Sequence, residues 1–405
     1  MVVILAEGED ARILTMKGIV HATKEELKKK GVEIPEQEFR PAVLDGQRAI
    51  VMNTAPSNYD RSDDFWFDLA THEGFHWYEQ YGNEGGTPWP GLSGRQGGLY
   101  ENWPLINEAR VSRAMTYNAL AAVYRHPKEA EKYLAAAAYW RDQWKQHAPN
   151  EEEMITRIDI VEGTAKYVEN VVGAIARSGD ESGRRDRLLE LHRPYGKFEP
   201  LTGESYSIGT AAGVVLDAMV KGTIRTKGNP GDWQNDIVTG RHTPLQRVLV
   251  GIAPHRESES DELHEQFKAA QEIVAKEYKM VADRDGPGVR AAIAGYDDRS
   301  HPIIKIDLGL VAIAEYALAT YRVSGISMLL QGIEKGSLKT GTGSLELAGA
   351  RGFQDSSWNL QIPLDPAHIK IDGEHLEITS CTIKGSLAVE TTVSEGRTVY
   401  TIKKS

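Results

Sequence analysis

Phe65-Trp66-Phe67-Asp68-Leu69-Ala70-Thr71-His72-Glu73-Gly74-Phe75-His76-Trp77-Tyr78 holds two histidines four residues apart, with a glutamate directly after the first. Asp60 to Asp64 supplies helix-capping chemistry ahead of it, and the pattern predicts a helix to about Tyr81. On a helix, residues i and i+4 stand one turn apart on a shared face, so both imidazoles can reach one ion. Glu73 sits beside them, placed to hydrogen-bond a water on that ion without being a ligand itself. Phe65, Leu69, His72 and His76 form a stripe at spacings of four, three and four, which turns the histidines inward. A helix that buries two imidazoles must be packed by other elements, so the fold is sought around this segment.

Chance yields this motif only about 0.025 times in a chain of this length and composition. The chain also carries its own control. His264-Glu265-Gln266-Phe267-Lys268 begins the same way but places a lysine where the second histidine belongs, within a strongly charged stretch. That segment reads as a solvated helix face.

Working outward, residues 1–60 read as a small α/β region. Ala11 to His21 alternates as a strand, Lys24 to Lys30 is a short charged helix, and Arg48 to Met52 is a strand. Residues 61–299 are helical in pattern, with helices expected at about 102–125, 128–147, 151–177 and 207–221, and a charged one at 262–284. Ser178 to Arg187 reads as a connector and 222–260 as loop-rich. A long Gly- and Pro-rich loop spans Gly82 to Gly98. Residues 300–405 change texture, with short β runs near 303–306, 345–347, 360–362, 376–378, 387–392 and 398–402, punctuated by turn residues. The expected class is α+β: a small N-terminal sheet, a mainly helical middle and a β-rich C-terminal sandwich or barrel.

Composition narrows the partners. A net charge of −11 argues against nucleic acid, because phosphate binders carry a basic excess. No stretch approaches the length of a membrane span, so no membrane partner is expected. The apolar opening Met1 to Ala6 is followed at once by Glu7, Glu9 and Asp10 and lacks the form of a secretory signal. As written, the chain is expected to be cytoplasmic and soluble, and secreted if its true start lies upstream. A lone cysteine, Cys381, excludes an internal disulfide framework and a Cys-rich metal site. Oligomeric state leaves no trace in the sequence.

Two histidines do not complete a catalytic metal site, which usually has three protein ligands and one open position. Two glutamates qualify for the third: Glu162, in Val161-Glu162-Gly163-Thr164-Ala165-Lys166-Tyr167-Val168-Glu169, and Glu108, in Leu105-Ile106-Asn107-Glu108-Ala109-Arg110. His72-Glu73-x-x-His76 followed by Glu162-Gly163-x-Ala165-x-Tyr167 resembles the gluzincin zinc metallopeptidases. The resemblance covers roughly residues 60–220 and implies a zincin-like catalytic domain holding Zn²⁺ through His72, His76 and Glu162, with Glu73 as general base. Three departures stand against it. The gap to Glu162 is longer than in the best-known branches, Lys166 occupies the place where an acidic residue often follows the ligand by four, and the Gly-x-Met-Glu-Asn segment of the aminopeptidase branch is absent. Asn107-Glu108-Ala109 is similar to the ligand segment of the thermolysin branch, so Glu108 stays open as the alternative.

A peptidase also needs a donor where the oxyanion develops. Tyr206 opens the helix expected at 207–221 and related enzymes often bring such a tyrosine to the metal, although a packing role suits it as well. Tyr167, His192 and His242 are weaker candidates, and Trp89, Trp103 and Trp140 read as packing residues. The loop Gly91 to Gly98 lacks the Gly-Lys-Ser/Thr signature and preceding strand of a phosphate cradle. The expected function is a zinc-dependent hydrolase, most simply a metallopeptidase acting on a peptide or protein substrate. The edge strand near Arg48 to Met52 is expected to line its cleft and hold substrate by strand addition. Two alternatives stand beside it: a non-catalytic zinc-binding or structural protein on the same fold, and a zinc hydrolase of a non-peptide amide.

Overall fold

A computed structural model describes residues 2–35, 39–54, 62–80, 89, 107–149, 151–191, 202–255, 261–277, 287–307, 311–323, 326–354, 359–394 and 396–403. The class is α+β, and the chain divides into two compact units. The first draws on Met1–Arg95, Ser112–Gln146 and Glu152–Gln266, and the second on Gln96–Val111, His147–Glu151 and Phe267–Ser405.

The first unit starts with a five-stranded sheet of β1 (Val2–Glu7), β2 (Asp10–Thr15), β3 (Gly18–Thr23), β4 (Phe39–Leu44) and β5 (Gln47–Asn53), ordered β3-β2-β1-β5-β4. β1 and β5 run parallel and the other pairs antiparallel. The β4–β5 hairpin turns at Asp45-Gly46, both at positive φ (50° and 77°), the pairing a two-residue hairpin loop favours. Side chains alternate between two faces. Val2, Ile4, Ala6, Ala49 and Val51 pack with Leu27 of α1 (Lys24–Lys29), while Val3, Ile50 and Met52 meet Ala70, Trp66, Leu69 and Trp77. Full burial of an Ile or Met side chain contributes about 1.5–3 kcal/mol, so Ile50 and Met52 seat the helix that carries the histidines. The strand expected at Arg48 to Met52 is therefore present, but it is internal, flanked by β1 and β4. The edges are β3 and β4. The opening apolar run forms β1 and takes the side of β5 that would otherwise have been free.

That helix, α2 (Asp63–Phe75), is capped by Ser62, whose hydroxyl accepts from the Phe65 amide at 3.3 Å, with Asp63 and Asp64 in its first turn. It continues as a π-helical turn over His76–Gln80. The middle of the chain supplies α3 (Asn107–Arg125), α4 (Ala130–His147), α5 (Glu151–Ser178), α6 (Glu181–Leu191), α7 (Thr202–Val220), α8 (Trp233–Val238), α9 (Pro244–Val248) and α10 (Asp261–Glu277). α6 occupies what reads as a connector. α8 and α9 interrupt the loop-rich stretch, because Asp232 and Thr243 cap them and Pro244 starts a helix as readily as it breaks one.

Arg113 of α3 is fully buried, 3.0 Å from Asp159 of α5 and 2.7 Å from Glu204 of α7, and lies 4.5 Å over the Trp144 ring of α4. Ser205 adds a bond to Asp159 at 2.5 Å. This charge cluster ties four helices together. α5 and α7 also cross with their main chains nearly touching at Gly163 and Gly209, where a β-carbon on Gly209 would stand 2.4 Å from Gly163 Cα.

The second unit holds α11 (Pro287–Asp297) and strands β6 (Ile303–Asp307), β7 (Val311–Val323), β8 (Ile326–Thr340), β9 (Gly343–Leu347), β10 (Ala350–Gln354), β11 (Asn359–Pro363), β12 (Ile369–Asp372), β13 (His375–Thr379), β14 (Ile383–Ser394) and β15 (Arg397–Ile402). β8 and β14 are linked directly through β9 and again through β10, β11, β6 and β15, so the sheet closes on itself. Ile304, Ile306, Ile333, Leu345, Leu360, Leu387 and their neighbours pack together as its core. Cys381 is exposed between β13 and β14.

Candidate metal centre

α2 and α5 meet along a polar seam. Every fourth residue of the motif helix and its π turn faces α5: Asp68, His72, His76 and Gln80. Asp68 pairs with Arg177 at 2.6 Å. His72 Nδ1 lies 3.0 Å from Glu169 Oε2. His76 Nδ1 lies 2.5 Å from Gln80 Oε1, and Gln80 Nε2 donates to Val161 O at 2.8 Å and Thr164 Oγ1 at 2.9 Å. Glu162, Lys166 and Glu169 share one face of α5 at intervals of four and three.

These partners decide the tautomers. Gln80 spends its amide protons on Val161 and Thr164, so its oxygen accepts and His76 Nδ1–H donates. Glu169 is a carboxylate, so His72 Nδ1–H donates as well. Both Nε2 atoms are left facing inward, 3.1 Å apart, and Glu162 Oε2 lies 3.4 Å from each. Three electron-rich atoms converging there repel one another unless a proton or a metal cation sits among them. His72 and His76 are buried, at 5% and 6% exposure.

The electrostatics draw positive charge to the same point. Burial alone would lower the His72 pKa, but bonds to Glu162 and Glu169 overturn this and raise it to about 9. Burial pushes the Glu162 carboxyl up, and the two histidines more than reverse that, holding it far below the usual carboxylate range. Glu73 moves the other way: burial raises its carboxyl, and the charges of His76 and His72 offset this only in part. Two carboxylates beside the same imidazoles thus have opposite tendencies, one fixed as an anion and one readier to take a proton.

The donor set suits a metal. Among the described residues, His72, Glu73 and His76 form a group whose ligand atoms all lie within 4.8 Å of one another. The tighter triangle is His72 Nε2, His76 Nε2 and Glu162 Oε2. A tetrahedral ion about 2.0–2.2 Å from nitrogen and oxygen donors needs them about 3.3–3.5 Å apart, close to the 3.1, 3.4 and 3.4 Å found here.

Tyr206 of α7 stands edge-on to His72, with ring centroids 5.5 Å apart. Its hydroxyl is kept protonated by burial, then by the charge of Glu162 and a bond to it. Tyr167 instead turns away and donates to Asp217 at 2.5 Å. Glu108 is exposed in the first turn of α3. His242 lies 3.7 Å from Asp236. His264, Glu265 and Lys268 are exposed on α10, as a solvated face requires. Trp89 packs edge-on to Phe75 at 5.7 Å and Trp140 edge-on to Tyr139 at 5.2 Å, both in packing roles. His192, Trp103 and the loop Gly91 to Gly98 lie outside the described residues.

Glu169 and Gln80 hold the two imidazoles, and neither was singled out from the sequence. The available signal was spacing: Gln80 continues the i, i+4 stripe of His72 and His76, and Glu169 repeats the face of Glu162 two turns on. No helix among the described residues is long and apolar enough to cross a membrane. Compared with protein-family models, with curated proteins and with solved structures, the chain matches none.

Proposed function

We propose that this chain is a zinc-dependent hydrolase cleaving peptide bonds, with His72, His76 and Glu162 as metal ligands. The observation that carries the reading is the convergence of two imidazole lone pairs and one carboxylate oxygen at 3.1–3.4 Å. Zinc supplies Lewis acidity and brings the pKa of a bound water to about 7.

The remaining work falls to the chain's own side chains. Glu73 is a carboxylate whose burial makes it more basic than usual, and it accepts the proton of the attacking water. It later returns that proton to the leaving amine. Tyr206 keeps its proton and offers an O–H donor at the edge of the centre, suited to the oxyanion of the tetrahedral intermediate. Glu162 stays an anion across the working pH range.

The test pairs metal analysis with cleavage. Wild-type protein should hold one zinc per chain and cleave members of a peptide library, while Glu73→Gln keeps the zinc and loses turnover by about 10²–10⁴-fold. Stoichiometric zinc with no cleavage of any peptide would overturn the hydrolase reading and favour a binding protein. Normal turnover by Glu73→Gln would remove that residue from the mechanism.

A further inference from the structure

We infer that Glu169 is the positioning residue of the metal centre: it fixes the His72 ring so that its Nε2 lone pair points at the ion, and Lys166 holds Glu169 in place. The inference rests on the zinc-site reading above and adds to it a residue on which the site depends. In many histidine metal sites the ring's second nitrogen donates to a carboxylate or carbonyl, which sets the tautomer and strengthens the ligand. Here that acceptor comes from two turns beyond Glu162, not one.

The position one turn beyond Glu162 is Lys166, and a lysine cannot accept the Nδ1 proton. Its ammonium instead bonds the other oxygen of Glu169. Glu169 Oε2 is left for His72, at 3.0 Å with both side chains buried. The lysine thus pairs the buried carboxylate while reaching toward solvent itself. The two ligands are held unequally: His72 by an anion, and His76 by the neutral amide of Gln80.

The probe is zinc alone, added to the full-length chain in competition with a chromophoric chelator. Glu169→Ala should weaken zinc binding by about 10–100-fold, with the loss appearing mainly as faster release. Glu169→Gln, which keeps an acceptor oxygen but no charge, should fall between Glu169→Ala and wild type. A purely structural role would lower the melting temperature of metal-stripped protein in step with affinity, whereas a positioning role leaves that temperature nearly unchanged. In the zinc-loaded wild type, ¹⁵N spectra should show a His72 Nδ1–H proton protected from exchange, and that protection should vanish in Glu169→Ala. Wild-type zinc affinity in Glu169→Ala would overturn the inference and leave the metal site standing. Failure of the wild type to bind zinc would instead defeat the underlying reading.

Discussion

Gly209→Ala tests whether the α5–α7 crossing sets the metal centre. A β-carbon at 209 would lie 2.4 Å from Gly163 Cα, 2.5 Å from its carbonyl oxygen and 2.6 Å from its carbonyl carbon. Carbon atoms in contact settle about 3.5–4.0 Å apart, so the two helices must separate locally by about 1 Å. All three atoms belong to the main chain, so no rotamer change absorbs the clash. Gly163 follows Glu162 directly, and Tyr206 lies one turn before Gly209, so the displacement acts on the ligand and the donor together.

Metal sites tolerate departures of only about 0.2 Å from ideal ligand distances. Losing an outer-shell partner costs about 10–100-fold in affinity, and a shift of about 1 Å in a ligand should reach the upper end, near 100-fold. Overpacking costs about 1–3 kcal/mol, and a main-chain clash belongs at the top of that range. At roughly 2–4 °C per kcal/mol for a unit of this size, the melting temperature should fall by about 5–10 °C. Gly213→Ala is the comparison. Its β-carbon meets the Tyr167 ring at 2.5 Å rather than the α5 main chain beside Glu162, so stability should fall while zinc affinity holds. Chelator competition and thermal melts of both variants decide the matter. Wild-type zinc affinity in Gly209→Ala would refute the claim that this crossing positions Glu162.

Glu162→Gln should lose zinc by about 100-fold or more, since ligand removal exceeds an outer-shell loss, while Glu108→Gln keeps it; the reverse outcome would move the third ligand to α3. Arg113→Met should destabilise the first unit by about 3–5 kcal/mol in urea unfolding, because Asp159 and Glu204 are left buried without their cation. A loss under about 1 kcal/mol would show that Arg113 does not anchor the helices. The acid limb tests Glu152: burial raises its carboxyl, and Lys145 and Arg141 bring it below the usual range. A carboxyl depressed in the folded state adds stability that is present above its unfolded pKa of about 4.3 and is lost as pH falls through the lower folded value. Glu152→Gln should therefore flatten the fall in urea midpoint below about pH 4 and leave the slope above about pH 6 unchanged; an acid limb as steep as wild type would refute it.

Local pattern carried much of this molecule. The helix around His72 and His76, the alternation in β11 and the helical middle follow from periodicity, because each buries one face against a core, while β5 reads as a short apolar run buried on both faces. Elements that depend on distant partners did not show themselves. β7 is a long strand rich in Ala, a residue that favours helices, and it exists because it pairs with the comparably long β8. β1 is a strand because β5 lies parallel beside it, from 45 or more residues away. At the site, His72, Glu73 and His76 were readable from one helix turn. That Glu162 would lie beside both imidazoles was not readable, since it depends on which helix α2 packs against. Glu169 and Gln80 acquire meaning only once α2 and α5 are antiparallel.

The seam between those helices also bears on why the site exists. Two buried helices gain most by meeting through apolar side chains, and exchanging buried ion pairs for well-packed apolar residues is often neutral or stabilising by about 1–4 kcal/mol. This chain instead aligns Asp68, His72, His76 and Gln80 against Arg177, Glu169, Glu162 and Thr164. At the outer positions of the seam each donor finds an acceptor, which explains Asp68 with Arg177 and Gln80 with Thr164. The middle differs: two imidazole nitrogens and a carboxylate oxygen meet at 3.1–3.4 Å, an arrangement that holds together only through a positive charge shared among them, a proton or a metal ion. Gly163 and Gly209 press α7 onto the back of that same turn and fix the main chain that carries Glu162. On the proposed function the positive charge at that point is the zinc ion, and the satisfied pairs on either side of the seam keep its ligands in register.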